Sequence, residues 1–178
     1  MPTPYRPIIQ LFIAGLGGAF VLLCAVGVLY LTGIRYNHGG AYPAGFYQLQ
    51  FQKTPYARGD LVLFCPPTHP AMTFALNKGY ALSGKCPGGW APAIQKIAAL
   101  SGDRIAFEGD VISINGLTYP QIQRYYEEDL PRLASLTLRK EEYFMLSDHL
   151  PMQSFDSRYY GPVHARQILG HVRPLWTW

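Results

Sequence analysis

Four residues with chemical potential crowd into five positions of the stretch LSDHLPMQSFDSRYYGPV, residues 146–163: Ser154, Asp156, Ser157 and Arg158. A carboxylate two residues from a guanidinium, among aromatic and small neighbours, is expected to form a partly buried ion pair; two solvated surface charges are the alternative. A second stretch, IQKIAALSGDRI at residues 94–105, places Gln95 and Lys96 ahead of a Gly-Asp pair. A third, YNHGGAYPAGFYQL at residues 36–49, sets Pro43, Gly45 and the aromatic pair Phe46-Tyr47 around Ala41. Nucleophilic catalysis needs a hydroxyl or thiol beside a group that takes its proton. The third stretch supplies none: no serine or threonine lies between Thr32 and Thr54, and Tyr42 is a bulky substitute.

Other chemistries are poorly supplied. His38, His69, His149, His164 and His171 are dispersed, with neither His-x-x-x-His nor Cys-x-x-Cys spacing, so no metal site is expected. No glycine loop suits a phosphate, and no cofactor is expected. Cys65 and Cys86 can pair as a disulfide in an oxidising compartment or remain two buried thiols.

The elements that must position these residues are mostly strands. FYQLQFQ alternates, with Tyr47, Leu49 and Phe51 on one side and Gln48, Gln50 and Gln52 on the other. Period two predicts a half-buried strand. DLVLF at 60–64 predicts a short apolar strand, and RIAFEGDVISINGLTY a hairpin with turns at Gly109-Asp110 and Asn115-Gly116. EYFMLSD and ILGHVRPLW predict two closing strands. Between CPPTHP and KCPGGWAP, the stretch AMTFALNKGYAL predicts a helix of about three turns. YYEEDLPRLASL reads as a polar, partly helical insertion.

From Pro7 to Ile34 there is no charged residue. About 20 apolar residues cross a bilayer core, whereas the apolar part of a cleaved signal has about 7–15. The run therefore reads as an uncleaved membrane anchor. Arg6 and Arg35 flank its two ends, so the positive charges leave the orientation tied. Hydrophobic residues make up 49% of the chain and charged residues 15%; the net charge of +4 is scattered, with no basic stripe for nucleic acid. The membrane is the partner that composition favours, and Trp90, Trp176 and Trp178 suit either its interface or ordinary packing. The expected organisation is an anchor, 1–35, followed by one antiparallel β domain, 36–178.

An N-terminal anchor followed by these three stretches in this order resembles the type I signal peptidases, most closely the conjugative-transfer branch of TraF-like pilin-processing peptidases. SFDSRYYGPV is very similar to that family's Ser-x-Asp-Ser-Arg-aromatic-aromatic-Gly box. The loop at 41–47 matches a Ser-x-Pro-x-Gly-aromatic-Tyr pattern except at its first position, which is Ala41. The Gly-Asp stretch matches a pattern that begins with lysine eight residues before Asp103, where this chain has Gln95.

The resemblance implies a serine-lysine endopeptidase at the membrane surface, in which a serine attacks a peptide carbonyl and a neutral lysine takes its proton. Burial must lower that lysine well below its free pKa of about 10.4. It further implies an inner-membrane, single-pass protein with its β domain on the periplasmic side, and an exported precursor such as a prepilin as partner, with secretion or pilus assembly proteins nearby. Pro43 and Gly45 take the loop-shaping positions; Ser154, Asp156, Ser157 and Arg158 take the supporting ones. Ala41 stands at the nucleophile position and Gln95 at the general-base position, so the chain as written is expected to be catalytically inactive. Lys96 is a shifted base only if a β-bulge re-aims it, since strand neighbours face opposite ways. Three readings stay open: a peptidase in which the two residues were introduced or the base is shifted, a natural pseudo-peptidase that binds precursor or partner, and a plain anchored β domain.

Overall fold

The charge-free run forms one helix, α1 (Arg6–Leu31). Its 24-residue segment Ile8–Leu31, with a mean hydropathy of 2.5 over its most apolar window, is long and apolar enough to cross a membrane. At 1.5 Å per residue it extends about 36 Å. The computed structural model describes residues 6–50, 55–123, 130 and 133–178. The chain divides into two units, one ending at Arg35 and one running from Tyr36 to Trp178.

After α1 the chain is mostly strand. β1 (Ile34–Asn37), β2 (Gly45–Gln50) and β3 (Leu61–Phe64) precede α2 (Pro70–Asn77). β4 (Ala93–Ala99), β5 (Arg104–Glu108), β6 (Val111–Ile114), β7 (Leu117–Gln123), β8 (Leu136–Thr137) and β9 (Glu142–Leu146) follow. α3 (Ser157–Tyr160), β10 (Val163–His164) and β11 (Ile168–Thr177) close it. One sheet has the order β1-β2-β11-β3-β4-β9-β10, and a second the order β7-β6-β5-β8. The pairings β2·β11, β11·β3, β3·β4, β4·β9 and β9·β10 are antiparallel, as are β5·β6, β6·β7 and β5·β8. The expected fold class, a membrane-type helix followed by an antiparallel β domain, is observed.

Alternation works as the sequence indicates: Tyr47 and Leu49 are buried on β2 while Phe46 and Gln50 are exposed. Phe51 and Gln52 lie outside the described residues. The hairpin extends into a three-stranded meander, because Asn115, with φ at 52°, and Gly116 turn β6 into β7. α2 has eight residues rather than about three turns. Gly79, at φ 76°, ends it: Tyr80 N–H bonds to Ala75 O at 2.8 Å and Gly79 N–H to Leu76 O at 3.2 Å, a Schellman closure. Of the insertion YYEEDLPRLASL, most lies outside the described residues; its end enters β8.

Three apolar clusters fill the β unit. One gathers Val62, Phe64, Met72, Trp90, Ile97, Met145 and Tyr159 beneath α2 and α3. A second lies under the β5–β8 sheet around Ile105, Ile112 and Phe144. The third comprises Tyr42, Tyr47, Leu49, Leu63, Ile94 and Val172. Trp90 belongs to the core, with Nε1 donating to Pro66 O at 3.0 Å, whereas Trp176 and Trp178 are exposed.

Candidate active site

The loop before β2 is held by its own neighbours. Asn37 Nδ2 donates to Tyr42 O at 3.0 Å and to Pro43 O at 2.9 Å, and the Tyr47 hydroxyl donates to Pro43 O at 2.9 Å. Gly45 is required by close approach: at φ 145°, a Cβ there would lie 2.2 Å from Trp176 O on β11. These contacts fix Ala41, whose carbonyl accepts from Ser147 Oγ at 2.6 Å. Its methyl packs on the third cluster, which contains Ile94.

On β4, side chains alternate between faces. Ile94 and Lys96 share one face, and Gln95 and Ile97 the other. Gln95 is 1% exposed. Its Nε2 donates to Phe155 O at 2.8 Å, and its Oε1 accepts from the Tyr160 hydroxyl at 2.8 Å. Both ends of the amide are thus engaged, and an amide offers no basic lone pair for a proton. Lys96 keeps 35% of its side chain exposed and is directed toward the loop before β2 rather than away from it: its ammonium pairs with Asp148, whose other oxygen accepts from the Tyr42 hydroxyl. Burial acts to raise the Asp148 carboxyl, but the Lys96 ammonium and the Tyr42 hydroxyl outweigh it and hold it below its ordinary value. Burial first, and the bond to Asp148 second, push the Tyr42 hydroxyl well above the usual range. Lys96 enters this network as a donor, the opposite of what a general base does.

The stretch at 146–163 is the most tightly built. Asp156 caps α3, accepting from Arg158 N–H at 3.1 Å. Arg158 Nε and Nη2 each reach an Asp156 oxygen at 2.7 Å, and Nη2 also donates to Ser154 O at 2.9 Å. Neither side chain has any exposed surface, so the pair is fully rather than partly buried. Burial pushes the Asp156 carboxyl up, against the pull of Arg158. Ser157 Oγ accepts from Met145 N–H at 2.9 Å, tying the box to β9. Ser154 Oγ is the single buried side-chain polar atom without a partner among the described residues. Ser154 as a residue borders a cleft of about 220 Å³ with Tyr80, Leu130, Met152, Gln153, Phe155 and Tyr159.

The 147–160 segment is therefore the hub of the site. Ala41 joins it at Ser147, Lys96 at Asp148, and Gln95 at Phe155 and Tyr160. Ala41 and Gln95 bond to different parts of it, and Ala41 packs on the third cluster. Ser147, Asp148 and Tyr160 are site residues that sequence reasoning passed over, although all three lie within the quoted box. Cys65 and Cys86 are joined in a disulfide, and Cys24 is a free thiol. Among the described residues no cluster of three or more His, Cys, Asp or Glu could hold a metal ion.

An apolar anchor helix, an antiparallel β unit, and a loop, strand and Asp-Arg box converging on one segment define a membrane-anchored protein with a peptidase-type scaffold. The chain belongs to the signal peptidase family, peptidase S26, whose family model matches residues 23–178. It is 34% identical over 169 residues to the plasmid transfer protein TraF of Escherichia coli, covering 92% of this chain and 93% of that one. A probable conjugal transfer protein TraF of Sinorhizobium fredii is 34% identical over 170 residues, covering 92% and 89%. The conjugal transfer protein TraF of Agrobacterium tumefaciens is 33% identical over 168 residues, covering 91% and 93%. Among solved structures, a signal peptidase I of Enterococcus faecalis aligns with a TM-score of 0.41 at 21% identity, covering 67% of this chain and 98% of that one.

Proposed function

We propose that this chain is a pseudo-peptidase of conjugative transfer: it keeps the signal-peptidase scaffold, binds an exported precursor such as a prepilin, and does not cleave it. The observation that carries the reading is Gln95, whose amide is fully engaged inside the protein, together with a methyl at position 41. Losing nucleophile or base alone costs roughly a millionfold in a comparable serine enzyme, and losing both costs little more. The similarity to TraF proteins over nine-tenths of the chain supports the conjugative setting. The helix α1 supports a single-pass place in the inner membrane. The Cys65–Cys86 disulfide supports a periplasmic β unit, because such bonds persist in oxidising compartments.

A second reading, an active peptidase site with a shifted base, is favoured by one observation: Lys96, not Gln95, is the β4 side chain that reaches the loop before β2, through Asp148 and Tyr42. Peptide cleavage separates the two. The full chain, Ala41→Ser, and Ala41→Ser with Gln95→Lys are each incubated with a precursor peptide. No cleavage by the unaltered chain is expected, and recovery only in the double variant would support position 95 as the base position. Cleavage by the unaltered chain overturns the inactive reading. Cleavage by Ala41→Ser alone, lost again with Lys96→Ala, establishes the shifted base. Crosslinking of the precursor to the unaltered chain is expected as well, and its absence counts against the binding role.

A further inference from the structure

Tyr42 follows a partly exposed alanine, yet its own side chain turns inward and is 9% exposed. Its ring packs with Tyr47, Leu49, Leu63, Ile94 and Val172 on an apolar floor formed by β2, β3, β4 and β11. Three successive residues on the far side hold it and its neighbour. Ser147 takes the Ala41 carbonyl, Asp148 accepts from the Tyr42 hydroxyl, and the His149 ring stacks on Tyr42 with centroids 6.1 Å apart and planes 22° from parallel. Lys96, rising from the floor, holds the other oxygen of Asp148. A floor of aliphatic side chains beside residue 41 is the surface on which an apolar side chain of a peptide would seat. The chain's own phenol seats there instead.

We infer that Tyr42 is an intramolecular occupant of the peptide groove beside residue 41, latched by Asp148 and Lys96, so that a precursor peptide gains the floor only when Tyr42 withdraws. The inference rests on the reading of the 41–45 loop as a peptide-contacting loop. Its energetic content is that of a gated site: the apparent affinity is reduced by the fraction of molecules in which the floor is open. Loosening the latch raises that fraction and therefore tightens peptide binding, although no peptide contact is added.

The test uses the full chain in lipid nanodiscs, with Cys24→Ser to remove the free thiol and Ala41→Cys as a reporter. Maleimide labelling of the reporter is compared for the otherwise unaltered chain, for Tyr42→Phe, which keeps the ring and removes only the hydroxyl, and for Asp148→Asn. Loss of a hydrogen bond to a charged group is expected to speed labelling by about ten-fold or more. Capture of a photo-crosslinkable precursor peptide, measured on the same variants without the reporter, is expected to rise in the same order. Unchanged labelling in both variants overturns the latch. Faster labelling with equal peptide capture in all variants overturns the gate. Faster labelling with no peptide captured by any variant supports the latch and overturns the peptide-binding reading on which its role rests.

Discussion

The Tyr160 hydroxyl and Gln95 Oε1 meet at 2.8 Å in the interior, linking β4 to the Asp-Arg box. Burial pushes the Tyr160 hydroxyl well above its ordinary range, so it stays a donor. The same glutamine donates to Phe155 O at 2.8 Å. An amide has both a donor and an acceptor, whereas an ammonium only donates. Gln95 is therefore fitted to its neighbours on both ends of its amide.

Gln95→Leu is expected to lower stability by about 2–5 kcal/mol, because Phe155 O and the Tyr160 hydroxyl both lose their partner inside the protein. Tyr160→Phe leaves the bond from Gln95 to Phe155 O in place and costs less. Combining the two should cost less than their sum, with a coupling of about 1–2 kcal/mol. Urea unfolding of the four chains in detergent measures this cycle; strict additivity would show that the bond contributes nothing of its own.

Asp156→Ala is expected to destabilise the β unit by about 3–5 kcal/mol, since it strands a buried guanidinium. Because neither partner touches solvent, the loss should barely change between low and high salt, unlike that of a surface pair. Equilibrium unfolding at two ionic strengths checks both points. A small, salt-sensitive effect would mean that the pair is solvated in solution.

Asp103 sets a pH dependence of known sign. Burial acts to raise its carboxyl, but the Leu100 N–H, Asn115 Nδ2 and Arg58 overcome this and hold it below the usual 3.8. Above pH 3.8 both folded and unfolded chains are ionised, and the full stabilisation is present. As pH falls below 3.8 toward the folded value, the unfolded chain takes up the proton first and the stabilisation is progressively lost. Asp103→Asn should therefore lower Tm at neutral pH, with the gap to the parent shrinking as pH falls below 3.8. A gap that stays constant across that window would remove Asp103 from the acid response.

Much of the scaffold was legible because it rests on local pattern. Alternation at Tyr47 and Leu49, the Asn115-Gly116 turn and the charge-free run each encode their element within a few residues. The end of α2 was misplaced because apolar spacing continues through Tyr80 while Gly79 halts the backbone. At the site, the box was legible as a motif, but its burial was not: Asp156 and Arg158 have no exposed side-chain surface in a fold that packs α3 on both α2 and β9. Lys96 shows the limit most clearly. Strand geometry set Gln95 and Lys96 on opposite faces of β4, but which of the two meets the loop before β2 depended on Asp148, 52 residues away. That the stretch around Ala41 brings no serine or threonine hydroxyl is legible without any structure.

The Cys65–Cys86 bond should be a stabilising element of the β unit. It closes the chain around α2 at a sequence separation of 21. A loop of that length restricts the unfolded chain enough to contribute about 3 kcal/mol. Cys86 also packs in the cluster with Trp90 and Met72, so replacing it by serine adds a polar atom to the core. Reduction of the intact protein is thus the cleaner comparison, since it leaves the packing atoms in place. Thiol titration of the unfolded, unreduced chain should find Cys24 alone reactive, and all three of the chain's cysteines after reduction. Heating the two forms should then show a lower Tm for the reduced one, and equal Tm values would show that the loop is already confined without the bond.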